Sequence, residues 1–127
     1  MKLKPKLSII QGLLFTYCIE NTRDVDREEL ITSINVNHHE ELTWLFDKLT
    51  KPEFMKYRRD EREWYINTLQ HFLSIGENFE SVFYLFNTYF NDEIFEKRQF
   101  MKTLLDCLSR YNLDIVESRS DAPSANQ

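Results

Sequence analysis

The sequence predicts an all-α protein, a compact bundle of about six helices. Three observations carry this. Apolar residues recur at three- and four-residue spacing along most of the chain. Runs of alternating strand type are absent. Glycine and proline are scarce, with Gly 2 and Pro 3 among 127 residues, which leaves too few breakers for the tight turns of an all-β fold.

The first helix spans residues 6–20, with Ile10, Leu13, Leu14 and Tyr17 on one face. Gly12 either weakens it or lets a neighbour approach closely. The run NTRDVD breaks it. Asp26, with Glu29 three residues on, forms a capping box for a second helix whose apolar face is Leu30, Ile31 and Ile34. Asn37 and Glu40 open a third helix in the same way, striped by Leu42, Leu45, Phe46 and Leu49. TKP ends it, because a residue before proline avoids helical dihedrals. Pro52 opens a short turn, PEFMKY, and a firm helix follows through RRDEREWYINTLQHFL to a stop at Gly76.

The fifth helix covers 77–91. Phe79, Val82, Phe83, Phe86 and Phe90 share one side, and Tyr84, Leu85 and Tyr89 carry the apolar surface almost all round. The sixth starts at Asn91 or Asp92 and aligns Ile94, Met101, Leu105 and Leu108 beside Phe100, Leu104, Cys107 and Tyr111. Residues 1–116 are read as a single domain and 117–127, small and polar, as a disordered tail. WLFD at 44–47 and YLFN at 84–87 line up, as do REWYINTLQHFL and RQFMKTLLDCLS after them. That layout leaves two architectures open, a stack of helical hairpins of HEAT or TPR type and an irregular bundle.

The formal charge is −5, and the only basic cluster at the start is Lys2, Lys4 and Lys6. A direct nucleic-acid binder carries a larger basic footprint. No stretch reaches the length of a membrane span. The opening segment has basic residues and an apolar run, but Gln11, Tyr17 and the lack of a small-x-small site argue against a signal peptide. The expected location is therefore the cytoplasm. Cys18 and Cys107 both fall on apolar stripes and read as buried free thiols rather than a disulfide.

Candidate chemistry fails on spacing. The adjacent His38 and His39 beside Glu40 point about 100° apart on a helix and cannot chelate one ion from one face. Asp24, Asp26 and Glu28 resemble the start of a calcium loop, but Glu29 stands where its glycine must be. Asp60, Glu61 and Glu63 alternate with Arg58, Arg59 and Arg62 and are expected to pair along a solvated face. No glycine-rich phosphate loop or nucleophile elbow is present. The expectation is a non-enzyme with no cofactor and no metal.

What remains is surface. From Glu77 onward there are nine Asp or Glu against five Lys or Arg, while the preceding residues are near balance. Glu77, Glu80, Asp92 and Glu93 bracket the aromatic fifth segment, and Tyr84 projects from its main stripe. Acids that steer a basic partner around an aromatic anchor make a protein-binding face. In being small, cytoplasmic, acidic, compact and free of catalytic motifs, the chain resembles the immunity proteins of bacterial contact-dependent inhibition systems. The resemblance is one of general character over the whole chain. It implies a bound toxin domain, often a basic nuclease, whose active site is occluded, with Glu77, Glu80, Asp92 and Glu93 facing its basic residues and Tyr84 at the centre. The alternative is a regulatory helical-repeat adaptor that holds a peptide or helix in a groove.

Overall fold

A computed structural model describes residues 3–18, 25–84, 88–90 and 92–121, the side chains of 116–121 excepted. It is all-α: α1 (Leu7–Leu13), α2 (Val25–Thr32), α3 (His39–Leu45), α4 (Lys51–Phe54), α5 (Arg59–Ser74), α6 (Glu80–Phe83) and α7 (Lys97–Asp121). Among the described residues extended pairing is confined to one antiparallel bridge, Cys18 with Thr88. α7 and α5 pack most extensively on each other; α1 lies against α5 and α6, and α3 against α7.

The aromatic side chains knit the core. Tyr17, Phe46, Phe83, Phe90 and Phe100 form one cluster through ring contacts of 5.4–6.1 Å. Phe54 centres a second, touching Tyr57, Tyr65 and Tyr111. Both are continuous with Ile10, Leu14, Ile31, Leu42, Leu69, Met101 and Leu108. Tyr17 bonds Thr50 through their hydroxyls at 2.6 Å, so its polar end is satisfied at full burial. Both cysteines are buried thiols outside any disulfide.

The first helical segment is regular only to Leu13 and tightens into a 3-10 turn over Leu14–Tyr17. A Cβ on Gly12 would meet nothing within 4 Å, so no neighbour approaches it closely. Asp26 lies in the first turn of α2; the residues that would precede it as a cap, Asp24 included, fall outside the described set.

TKP does not end the third helix. Leu42, Phe46, Thr50 and Phe54 are all buried, and a four-residue spacing drifts by about 40° per step around an α-helix. The chain absorbs the drift with a π-helical turn, Phe46–Thr50, where the Lys51 N–H donates to the Phe46 carbonyl five residues back. The wider turn returns Thr50 and Phe54 to the face of Leu42 and Phe46. It leads directly into α4, where Pro52, which has no N–H to give, sits in the first turn.

α5 keeps its expected bounds. Glu61 Oε1 accepts the Arg58 N–H at 3.0 Å, and the far end is a Schellman turn: Gly76 has φ +81, its N–H donates to Leu73 and the Glu77 N–H to Phe72. Arg58 and Arg59 pair with Asp60, Glu61 and Glu63 on the solvated face. Arg62 does not join them. It is 3% exposed and donates to Asn112 and to the Tyr57 carbonyl.

The fifth helix shrinks to a single turn, α6. Local side-chain bonds outcompete the helix before it starts: Glu77 accepts the Phe79 N–H and Asn78 the Glu80 N–H. Phe79 is left in the left-handed region, φ 62, with its ring fully buried. Tyr84 is extended, and Thr88 pairs with Cys18. A helix apolar all round would have left aromatic rings in water; the open course lets Phe90 reach Tyr17 and Phe100. Leu85, Phe86, Asn87 and Asn91 lie outside the described residues. With this helix reduced to one turn, the described residues form an irregular bundle rather than two like hairpins.

α7 begins at Lys97 rather than at Asn91 or Asp92. Asn37, expected to cap α3, reaches away from it instead. Its amide donates to the Glu93 carbonyl at 2.7 Å and accepts from the Phe95 N–H at 3.0 Å. These bonds tie residues 93–95 to the loop before α3. α3 starts after His38, with Glu41 accepting the Asn35 N–H. At its far end α7 stays helical to Asp121, into the segment read as a disordered tail; residues 122–127 lie outside the described set.

Candidate functional site

Four of the five expected partner-binding residues meet at one groove. Its volume is about 500 Å³. Glu80 and Tyr84 stand on one wall, at either end of α6. Asp92 and Glu93 stand on the other, in the segment leading to α7. Phe83, Phe90 and Ile94 form an apolar floor that continues into the core.

Each wall is anchored. α6 is held from below by the buried Phe79 and Val82, and from the side by Gln11, whose amide donates to the Val82 carbonyl at 2.8 Å. The opposite wall is held by the two Asn37 bonds on either side of Ile94. Tyr84 is 73% exposed, in keeping with a ring that projects from the core.

Glu77 is not in the groove. Its carboxylate is used on the Phe79 N–H, and its carbonyl accepts from Arg98 at 2.7 Å. Arg98 also donates to the Leu73 carbonyl, so its guanidinium closes the C-terminal end of α5, where a cation is favoured. Glu77 shapes the approach to α6.

Lys97, not anticipated as a site residue, lines the groove with its Nζ 3.6 Å from Glu80. The groove therefore sets three carboxylates against one ammonium. A large part of Glu80 stays in water, so this pair contributes little to stability and can be exchanged for another. A second depression of about 280 Å³ lies on the other side of the 92–96 segment, lined by His39, Leu42, Phe95 and Phe100 among others. Phe95 is 71% exposed at its edge. Phe95 carries no helical periodicity with its neighbours, so no pattern singled it out.

The other chemical candidates stay apart. His38 approaches Glu41 at 3.6 Å, whereas His39 meets the Thr103 hydroxyl at 3.2 Å. Burial pushes the Cys107 thiol up, away from the reactive thiolate, against the opposing pull of Tyr111 and Arg110. Comparison with known proteins finds no family model, curated protein or solved structure that matches the chain. The groove is thus read from its own geometry. None of the helices in the described residues is long and apolar enough to cross a membrane.

Proposed function

We propose that the protein acts by binding, as a stoichiometric inhibitor that presents the α6 groove to a basic protein partner. The observation that carries this is the convergence of Glu80, Asp92 and Glu93 around an apolar floor with the exposed Tyr84 at its rim. Rim carboxylates speed encounter with a basic surface, while an aromatic anchor over apolar ground supplies the residence time. In its fuller form the reading is an immunity protein that neutralises a cognate nuclease toxin by occluding its active site, working in the cytoplasm. Nuclease surfaces are basic because their substrate is a polyanion, and an acidic groove competes for the same groups.

The test uses a basic nuclease toxin domain, the kind of product this reading expects from the neighbouring gene. Equimolar protein should abolish its nuclease activity. The triple variant Glu80→Lys, Asp92→Lys, Glu93→Lys should lower the association rate by about tenfold or more at low salt, and the wild-type rate should fall as ionic strength rises. Full nuclease activity in the presence of excess protein would refute the inhibitor reading. An association rate that ignores salt and charge reversal would refute the role of this groove.

A further inference from the structure

The groove has one property that acidic side chains do not confer. Thr88, on its lining, is paired with Cys18 across an antiparallel bridge, and the bond beside that pair runs from the Tyr89 N–H to the Tyr17 carbonyl at 2.9 Å. Cys18 and Thr88 are therefore a non-hydrogen-bonded pair. In such a pair the peptide groups of the two residues point away from each other, to the outer edges of the ladder. The N–H and C=O of Thr88 thus face away from Cys18, toward the side on which a further strand would pair. Two residues on, Phe90 lines the same groove.

We infer that the partner enters this groove as an extended basic segment that adds to the Thr88 edge as a strand. This rests on the binding function proposed above and specifies its mode. Side chains alternate along an added strand. One set reaches the floor of Phe83, Phe90 and Ile94; the other reaches the rim, where Glu80, Asp92 and Glu93 select lysine or arginine. Size favours this form of ligand. About 500 Å³ holds little more than one turn of a helix about 10 Å across, whereas an extended chain fills it with a few residues and runs out at both ends. A basic side chain arriving beside Glu80 takes the place of the Lys97 ammonium, which the 3.6 Å spacing holds only loosely.

The experiment uses the full-length protein, three lysine-containing synthetic peptides and a charge-reversed Glu–Val peptide. One alternates Lys with Val. One is a helix-forming Lys–Ala peptide of equal charge. The third is the Lys–Val peptide with alternate backbone amides N-methylated. Affinity is measured by calorimetry and amide exchange by NMR. The expected result is that the Lys–Val peptide binds at least about tenfold tighter than either control and slows exchange of the Thr88 amide. Equal binding of the three peptides, or tight binding with Thr88 exchange unchanged, overturns strand addition and leaves the acidic groove standing. If a Glu–Val peptide binds as well as the Lys–Val one, charge selection fails and the groove reading falls with it.

Discussion

At the scale of single residues, Phe79 and Gly12 are opposites. Phe79 occupies a left-handed conformation that suits glycine, yet its ring is fully buried. Gly12 sits in a helix with open space where a Cβ would stand. Phe79→Ala should cost about 3–5 kcal/mol for the lost ring. Phe79→Gly loses the same ring but relieves a strain of about 1 kcal/mol. The glycine variant should therefore be the more stable of the two in urea denaturation, the reverse of the usual order. Gly12→Ala should raise stability by about 0.5–1 kcal/mol, since it stiffens the unfolded chain and meets no clash. The apolar periodicity exposed Phe79 as a core residue. It could not show the backbone state, which follows from the Glu77 and Asn78 side chains capturing the next N–H groups.

At the scale of elements, the long periodic helices were legible and the short ones were not. α7 buries most of the apolar rows its spacing predicts, and α5 buries Leu69 with Tyr65, Phe72 and Leu73 partly buried against the core, because each has a long partner to pack against. The segment 77–96 failed because its course is decided from elsewhere in the chain. Asn37, in the loop before α3, holds Glu93 and Phe95 across a large sequence separation. A local reading assigns such an asparagine to the nearest helix start. Glu80, Tyr84, Asp92 and Glu93 still line one groove, since exposed acids beside an aromatic run stay near it whether the run is helical or not. Asn37→Ala should cost about 1 kcal/mol. It should also speed exchange of the Phe95 amide and weaken partner binding with the global fold intact by circular dichroism. Unchanged Phe95 exchange would mean that the clip does not hold the groove wall.

At the scale of the whole molecule, the core includes ionisable aromatic groups. Burial pushes the Tyr17, Tyr65 and Tyr111 phenols well above their ordinary value of 10.0, and at Tyr111 the hydrogen bond to the Asp47 carboxylate adds to it. The folded protein then keeps protons that the unfolded chain gives up once the pH passes about 10. Stability is complete below that point and falls as pH rises beyond it. The melting temperature should hold steady toward pH 9 with respect to these groups and then drop. Part of the tyrosinate absorbance should appear only as the helical signal is lost. A melting temperature that stays level beyond pH 11 would contradict this account of the core.

The π-helical turn has a further consequence, in the length of the chain itself. Between Leu42 and Phe54 it accommodates one residue more than an α-helix needs to keep both on one face. Eleven residues at about 100° each return to within roughly 20° of the start, whereas twelve overshoot by about 120°. Removing exposed Lys48 should therefore turn the segment into plain α-helix and leave Phe54 facing Tyr111. The remaining cost is the clash of Pro52 with the turn before it, about 3 kcal/mol, and Pro52→Ala should recover most of it. Deleting one residue within α5 offers no such escape, because every later side chain there swings to a new face. Single-residue deletions among natural variants of this chain are expected to collect at residues 47–49, as comparison of homologous genes would show.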